Sequence, residues 1–254
     1  PMNLLQDRVA IVTGAAGGVG SAAARRFAEE GASVVLADID GDAAQAVGDL
    51  ITAAGGSSTV VPCDVSKEQD IDDVVTAAIS TYGRIDILAN IAQGSMGDHS
   101  YLETTSAELA FANFATGPVQ SMLFMQKCLP HMKERGYGRI INTASHSALV
   151  GAAGFAPYEM AKGAVMALTR NASQEWAKFG IVTNTFLPVV RTPAFDMTAQ
   201  GRAAAVSQAE SNPTGRFGTP YEDCSPVLVF LASEGAGYVN GQAIGVDGGR
   251  FLIA

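Results

Sequence analysis

Cysteine is scarce. Cys63, Cys128 and Cys224 are the only three in 254 residues, and no two form a CxxC pair. That spacing argues against a disulfide framework and a thiolate metal site, and it fits a reducing cytoplasm. Histidine also numbers 3, and Asp, Glu and His show no metal-ligand spacing, so no catalytic metal is expected. Positive charge is short as well: 16 Lys and Arg stand against 25 Asp and Glu, a net charge of −9. The average field therefore opposes nucleic acid and anionic membranes, and neither is an expected partner. No basic-then-apolar leader opens the chain, and no uncharged apolar run is long enough for a bilayer span. A soluble, cytoplasmic protein is expected. No repeat, low-complexity tract or linker interrupts residues 1–254, so one domain is expected.

What is present is apolar and periodic. Hydrophobic residues make up 48% of the chain, enough for a large core. β-rich runs begin at Arg8, Ser33, Thr59, Ile85, Gly138, Ile181 and Ala243. Most are nearly continuous rather than alternating, as in a parallel sheet covered on both faces. Helix-length segments lie between them: Ser21–Glu30, Asp42–Ala53, Glu68–Tyr82, Ala107–Lys133, Tyr158–Lys178 and Tyr221–Ala232. The stretch Val189–Pro220 breaks this rhythm and reads as a long loop, a candidate substrate lid.

Two constellations carry chemistry. The first is TGAAGGVG, Thr13 to Gly20, between the first strand and the first helix. Such glycines let the backbone approach a pyrophosphate at a helix start, although a purely structural β-to-α turn is the alternative. Asp38 ends the second strand, where a carboxylate accepts hydrogen bonds from an adenosine ribose diol and repels a 2′-phosphate. Ala15, Ala16 and Ile39 supply no cation there, so NAD(H) is favoured over NADP(H). A polar strand terminus is the competing reading of Asp38.

The second is YEMAK, which sets Tyr158 and Lys162 four residues apart on one helix face. A nearby ammonium is expected to lower the phenol pKa from about 10 towards neutrality, giving a general acid/base. A surface pair is the alternative. Ser145, just past the fifth strand, offers a hydroxyl to hold a substrate oxygen beside the phenol.

With TGAAGGVG, Asp38, CDV at 63–65, DILAN at 86–90, Ser145, YEMAK, RTP at 191–193 and NGQAIGVDGG at 240–249, the chain resembles the short-chain dehydrogenase/reductase family along nearly its whole length. The resemblance implies an α/β fold: a Rossmann-type, doubly wound, parallel seven-stranded sheet of order 3-2-1-4-5-6-7. It implies that Gly14, Gly17, Gly18, Val19 and Gly20 line the pyrophosphate, with Asp38 and Ile39 at the adenosine ribose and Asp64 and Val65 at the adenine. Asn90 and Ala92 would pass beneath the adenosine half, while Pro188, Val190 and Thr192 would flank the nicotinamide, with Thr192 reaching its carboxamide. Tyr158 would be the acid/base, Ser145 would polarise the carbonyl or alcohol, and Lys162 would hold the nicotinamide ribose and tune Tyr158. Gln93, Ser145, Ser147, Phe155, Tyr158 and Val189 are the expected substrate contacts. The expected activity is NAD-dependent interconversion of a secondary alcohol and a ketone on a small-molecule substrate, with dehydrogenation as the expected direction. Val150–Phe155, Met160, Phe195 and Met197 suggest a hydrophobic alicyclic, aromatic or steroid-like substrate. A homotetramer or homodimer is implied through the two long helices and the C-terminal segment. The rival is a member of the fold with non-redox chemistry or a nucleotide-binding role.

Three places depart from the family. Its Asn-Asn-Ala-Gly turn reads Asn90-Ile91-Ala92-Gln93 here, and its Pro-Gly after the sixth strand reads Pro188-Val189. Relatives also carry a helix asparagine whose backbone carbonyl binds a water leading to the lysine. Counted from Leu129-Pro130, that place falls on Gly117, with Asn113 one turn earlier. Gly117 is expected to supply the carbonyl that accepts from that water, with Asn113 a polar helix residue bonded locally; Asn113 reaches that place only if the helix is shifted or bulged. His146, beside Ser145, is expected to be structural, His99 to be exposed, and His131 to lie on a helix surface.

Overall fold

The apolar runs become strands because each alternates its side chains between two covered faces. A computed structural model describes residues 3–94, 100–196 and 199–251 of the chain. His99 and Met197, and the side chain of Phe195, lie outside the described residues. In chain order the elements begin with β1 (Val9–Thr13), α1 (Gly18–Glu29), β2 (Ser33–Asp38), α2 (Gly41–Ala53), β3 (Ser57–Pro62), α3 (Glu68–Tyr82) and β4 (Ile87–Asn90). They continue with α4 (Ala107–Phe114), α5 (Gln120–Arg135), β5 (Gly138–Thr143), α6 (Ser147–Val150), α7 (Ala156–Trp176) and β6 (Ile181–Pro188). The last are α8 (Pro193–Asp196), α9 (Ala199–Ser211), α10 (Ser225–Ala232) and β7 (Ala243–Val246).

The strands form one parallel sheet of order β3-β2-β1-β4-β5-β6-β7, as expected from the resemblance. Along β1, Ala10 and Val12 join a core with Phe27 of α1, Val47 of α2 and Leu228 of α10. Ile11 points the other way, into a core with Val74 of α3, Phe124 of α5 and Ala172 of α7. Phe27 and Phe124 are both fully buried, and truncating either to alanine costs about 3–5 kcal/mol. The order reverses direction between β1 and β4. The crevice there, at the carboxyl ends of the strands, is where open α/β sheets take ligands.

Three segments differ from expectation, one of them the helix expected over 221–232, which opens with a π turn, Pro220–Cys224, before α10. The helix expected over 107–133 is interrupted: α4 and α5 are joined by a π turn, Ala115–Val119, in which Gln120 N–H reaches back to Ala115 O. Pro118 lies inside that turn; it has no N–H to give, and its ring crowds the carbonyl of the preceding turn, which favours a widened turn. The expected loop 189–220 contains α8 and α9. Residues Ala199–Ser211 show almost no one-sided apolar stripe, so periodicity did not reveal that helix.

Candidate active site

The glycine turn is built by close approach. Gly14 has φ +68, and a Cβ on it would come within 3.1 Å of the Ala92 backbone. At Gly20 a Cβ would lie 1.9 Å from Gly14 O, so no side chain fits. Gly17 caps α1 in an extended conformation and has no side-chain cap bond, and a Cβ there would meet nothing within 4 Å. This open cradle, with the N–H groups of α1 behind it, fits a pyrophosphate. Thr13 Oγ1 braces it by accepting from Ile91 N at 3.0 Å and Ala92 N at 3.1 Å. Sequence reasoning had not singled out Thr13, because its partners lie far along the chain.

Asp38 joins this turn directly. Its Oδ2 accepts from Ala16 N at 2.8 Å and its Oδ1 from Asp40 N at 3.0 Å. Each oxygen keeps further acceptor capacity, and Ile39 beside it is 75% exposed, open for a ring to cover. Asp64 turns its carboxylate to Ser66, whose Oγ and N–H donate at 2.7 and 3.0 Å. These bonds, led by the hydroxyl, hold the Asp64 pKa below the usual carboxylate range. Thr192 sits across the turn, its Cγ2 3.5 Å from where a Gly18 Cβ would be. Val190 is buried in the α1 and α10 core, and Val189 N donates to Val246 O at 2.9 Å.

The second constellation gathers past β5. Lys162 Nζ donates to Thr143 O at 2.8 Å. The lysine is 2% exposed, which removes the surface-pair alternative. Its Nζ lies 5.6 Å from the centre of the Tyr158 ring. Burial pushes the ammonium down to about 7. Burial also raises the Tyr158 phenol, countered in part by a hydrogen bond with Ser145. The direction is opposite to that expected from the spacing, because both groups are taken out of water together and the lysine itself is driven towards neutrality. Ser145 Oγ lies 2.9 Å from Ser147 Oγ and accepts from Ser147 N at 3.2 Å. Phe155 meets Tyr158 edge-on, with ring centres 6.5 Å apart, while Met160 is half exposed.

Beneath these groups, Asn90 Nδ2 donates to Asn142 Oδ1 at 2.8 Å, and Asn142 Nδ2 to Thr169 Oγ1 at 3.0 Å. This ladder ties β4 through β5 to α7. Gln93 turns to the π turn instead: Nε2 donates to Gly94 O at 3.1 Å, to Thr116 Oγ1 at 3.2 Å and, at a long 3.5 Å, to Asn113 O. Gly117 accommodates it, since a Cβ there would come 3.0 Å from Gln93 Oε1 and 3.5 Å from Ala161 Cβ. The Gly117 carbonyl accepts from Ser121 Oγ at 2.9 Å. Asn113 is fully buried and bonds locally, Nδ2 to Leu109 O at 3.0 Å. Gln93 Oε1 and Asn113 Oδ1 are buried without a hydrogen-bond partner among the described residues. Among those residues no group of three His, Cys, Asp or Glu is placed to hold a metal, and no helix is long and apolar enough to cross a membrane.

The profile of the family described as Enoyl-(Acyl carrier protein) reductase matches residues 14–250. A (2S)-[(R)-hydroxy(phenyl)methyl]succinyl-CoA dehydrogenase subunit of Thauera aromatica is 36% identical over 251 residues, covering 98% of this chain and 99% of the relative. A 2,5-dichloro-2,5-cyclohexadiene-1,4-diol dehydrogenase of Sphingobium indicum is 33% identical over 249 residues, 97% of each chain. The crystal structure of levodione reductase superposes with a TM-score of 0.91 at 31% identity, covering 97% of this chain and 98% of that one. With the sheet order, the glycine turn and these end-to-end similarities together, the chain belongs to the short-chain dehydrogenase/reductase family of oxidoreductases.

Proposed function

We propose that the protein is an NAD-dependent oxidoreductase that interconverts a secondary alcohol and a ketone, with Tyr158 as general acid/base. The observation that carries this reading is the meeting of Ser145, Tyr158 and a buried Lys162 past the end of β5. A binding module has no need of a buried lysine beside a serine-bonded phenol. Asp38 supports NAD over NADP, because its carboxylate is fixed by Ala16 and Asp40 where a 2′-phosphate would meet negative charge.

A bound nicotinamide would supply the hydride acceptor. Gly14, Gly17, Gly18 and the start of α1 would hold its pyrophosphate, with Thr192 across the turn. Ser145, held by Ser147, donates to the substrate oxygen. In the oxidative direction the Tyr158 phenolate takes the hydroxyl proton, and in reduction the phenol returns it. Lys162, anchored on Thr143 O, keeps an N–H donor beside the tyrosine, part charged and part neutral near pH 7.

Phe155 and Val189 with the 189–220 lid supply an apolar setting for an alicyclic or aromatic substrate. The names of the relatives support that class: one carries its hydroxyl beside a phenyl group, another on a cyclohexadiene ring. Phe111, Val119 and Met122, exposed along α4, the π turn and α5, support assembly into a dimer or tetramer through that face.

The test is turnover. Protein mixed with NAD, or with NADP in parallel, and a panel of cyclic and benzylic secondary alcohols at mildly alkaline pH should yield NADH absorbance. NAD binding with no turnover of any alcohol or ketone would sink the dehydrogenase reading in favour of a nucleotide-binding role.

A further inference from the structure

His146 follows Ser145 and takes no part in the chemistry above. Its ring is 2% exposed and meets the C-terminal turn. Nε2 lies 3.3 Å from Asp247 Oδ2, and the ring stacks on Phe251 with centres 4.9 Å apart and planes at 22°. The Gly245 backbone is so close that a Cβ there would come within 3.1 Å of Cε1 and Nε2. The Asp247 contact is not an aligned hydrogen bond, since neither ring nitrogen has a hydrogen-bond partner among the described residues, and burial lowers the His146 pKa, which favours the neutral ring over an ion pair. Burying a polar ring on such terms costs free energy, which its close packing on Phe251 and Gly245 has to offset.

Asp247 joins several other elements. Its carboxylate accepts from the N–H of Gly249 at 2.9 Å and of Phe251 at 3.1 Å. Its carbonyl accepts Asn212 Nδ2 at 2.7 Å. Asn212 directly follows α9, and Arg250 Nη1 donates to Oγ of Ser211, the last residue of α9, at 2.8 Å. Val189, Asn212 and Asp247 also share the wall of a cavity of about 260 Å³. The same turn therefore grips both the residue beside Ser145 and the end of the lid.

We infer that His146 is a positioning residue, which through Asp247 and Phe251 locks the Ser145 loop to the C-terminal turn and, through Asn212, to the lid. Lid placement and serine placement are then set together. The inference rests on the reading of Ser145 as the group that holds the substrate oxygen.

The measurement is a double-mutant cycle of His146→Ala and Asn212→Ala, read as kcat, KM and the NADH dissociation constant. Each single change should lower kcat/KM about tenfold with NADH affinity unchanged, and the double variant should fall no further, the mark of residues acting as one unit. An additive loss of about a hundredfold, no loss, or a parallel loss of NADH binding overturns the inference. If His146→Ala does not fold, His146→Gln takes its place in the cycle. Hydrogen exchange reads the same coupling without substrate. His146→Ala, or His146→Gln in its place, should speed exchange at Gly249 and Phe251 while β1 and β4 keep wild-type rates, and unchanged exchange at the turn overturns the inference. Failure of the wild-type chain to turn over any alcohol counts against the dehydrogenase reading alone, and the exchange experiment still decides the contact.

Discussion

On the β1 side of the cleft, Gly14, Gly18 and Gly20 act through backbone geometry, and Asp38 is fixed by two N–H groups within the same βαβ unit. On the β4 to β7 side, Gln93 leans on the π turn, Ser145 on Ser147, Lys162 on Thr143, and His146 on Asp247. The first half is built from close backbone contacts and leaves no room for a side chain at Gly20. The second half is assembled from side chains of separate elements. The departures from the family, Gln93, Gly117 and Val189, all fall in that second half. A cradle fixed by backbone contacts thus stands beside a wall held by side-chain contacts.

The sharpest test of the division is Tyr158→Phe. Loss of the proton-transferring oxygen should lower turnover about 10³-fold while NADH titration shows unchanged affinity; a matching loss of affinity would break the separation of the two halves. Next comes Gly20→Ala. Its Cβ would lie 1.9 Å from Gly14 O, so the cradle must distort, costing about 1–3 kcal/mol in urea unfolding and weakening NADH binding. Wild-type affinity in that variant would show that the cradle is softer than its contacts indicate.

Lys162→Met tests the substrate side through pH. The folded lysine titrates near a pKa of about 7 against an ordinary 10.5. Between those values the unfolded chain binds a proton that the folded chain does not, so wild-type stability should rise with pH across that window. The methionine variant should lack this part of the rise in thermal melts followed from pH 7 to 10. Gln93→Gly should have the smallest effect, about 1 kcal/mol from the amide's hydrogen bonds to the π turn. A change in substrate preference with little change in melting temperature would mark Gln93 as part of the substrate-side wall.

Much of this was legible from the chain, for identifiable reasons. The strands followed from nearly continuous apolar runs, their order from the family resemblance, and the helix carrying Tyr158 and Lys162 from their spacing. The break at Pro118 was less visible, because a proline near a glycine is compatible with a loop, a kink or a π turn until the packing of α4 and α5 selects one. The helix Ala199–Ser211 was missed because it has no apolar stripe to betray it. The direction of the Tyr158 shift was misread because spacing reports proximity and says nothing of shared burial, which drives the phenol up and the ammonium down.

What the sequence determined by itself was whatever depends on neighbours along the chain: the glycine turn, the carboxylate at the end of β2, and the tyrosine and lysine on one helix face. Only the tertiary structure decided that Thr13 braces Ile91 and Ala92, that Thr143 anchors Lys162, that Gln93 and Gly117 fit one another, and that His146 meets Asp247. These pairs come from distant segments, brought together by strand order and helix packing, and no local pattern of residue types encodes which distant atom a side chain will meet.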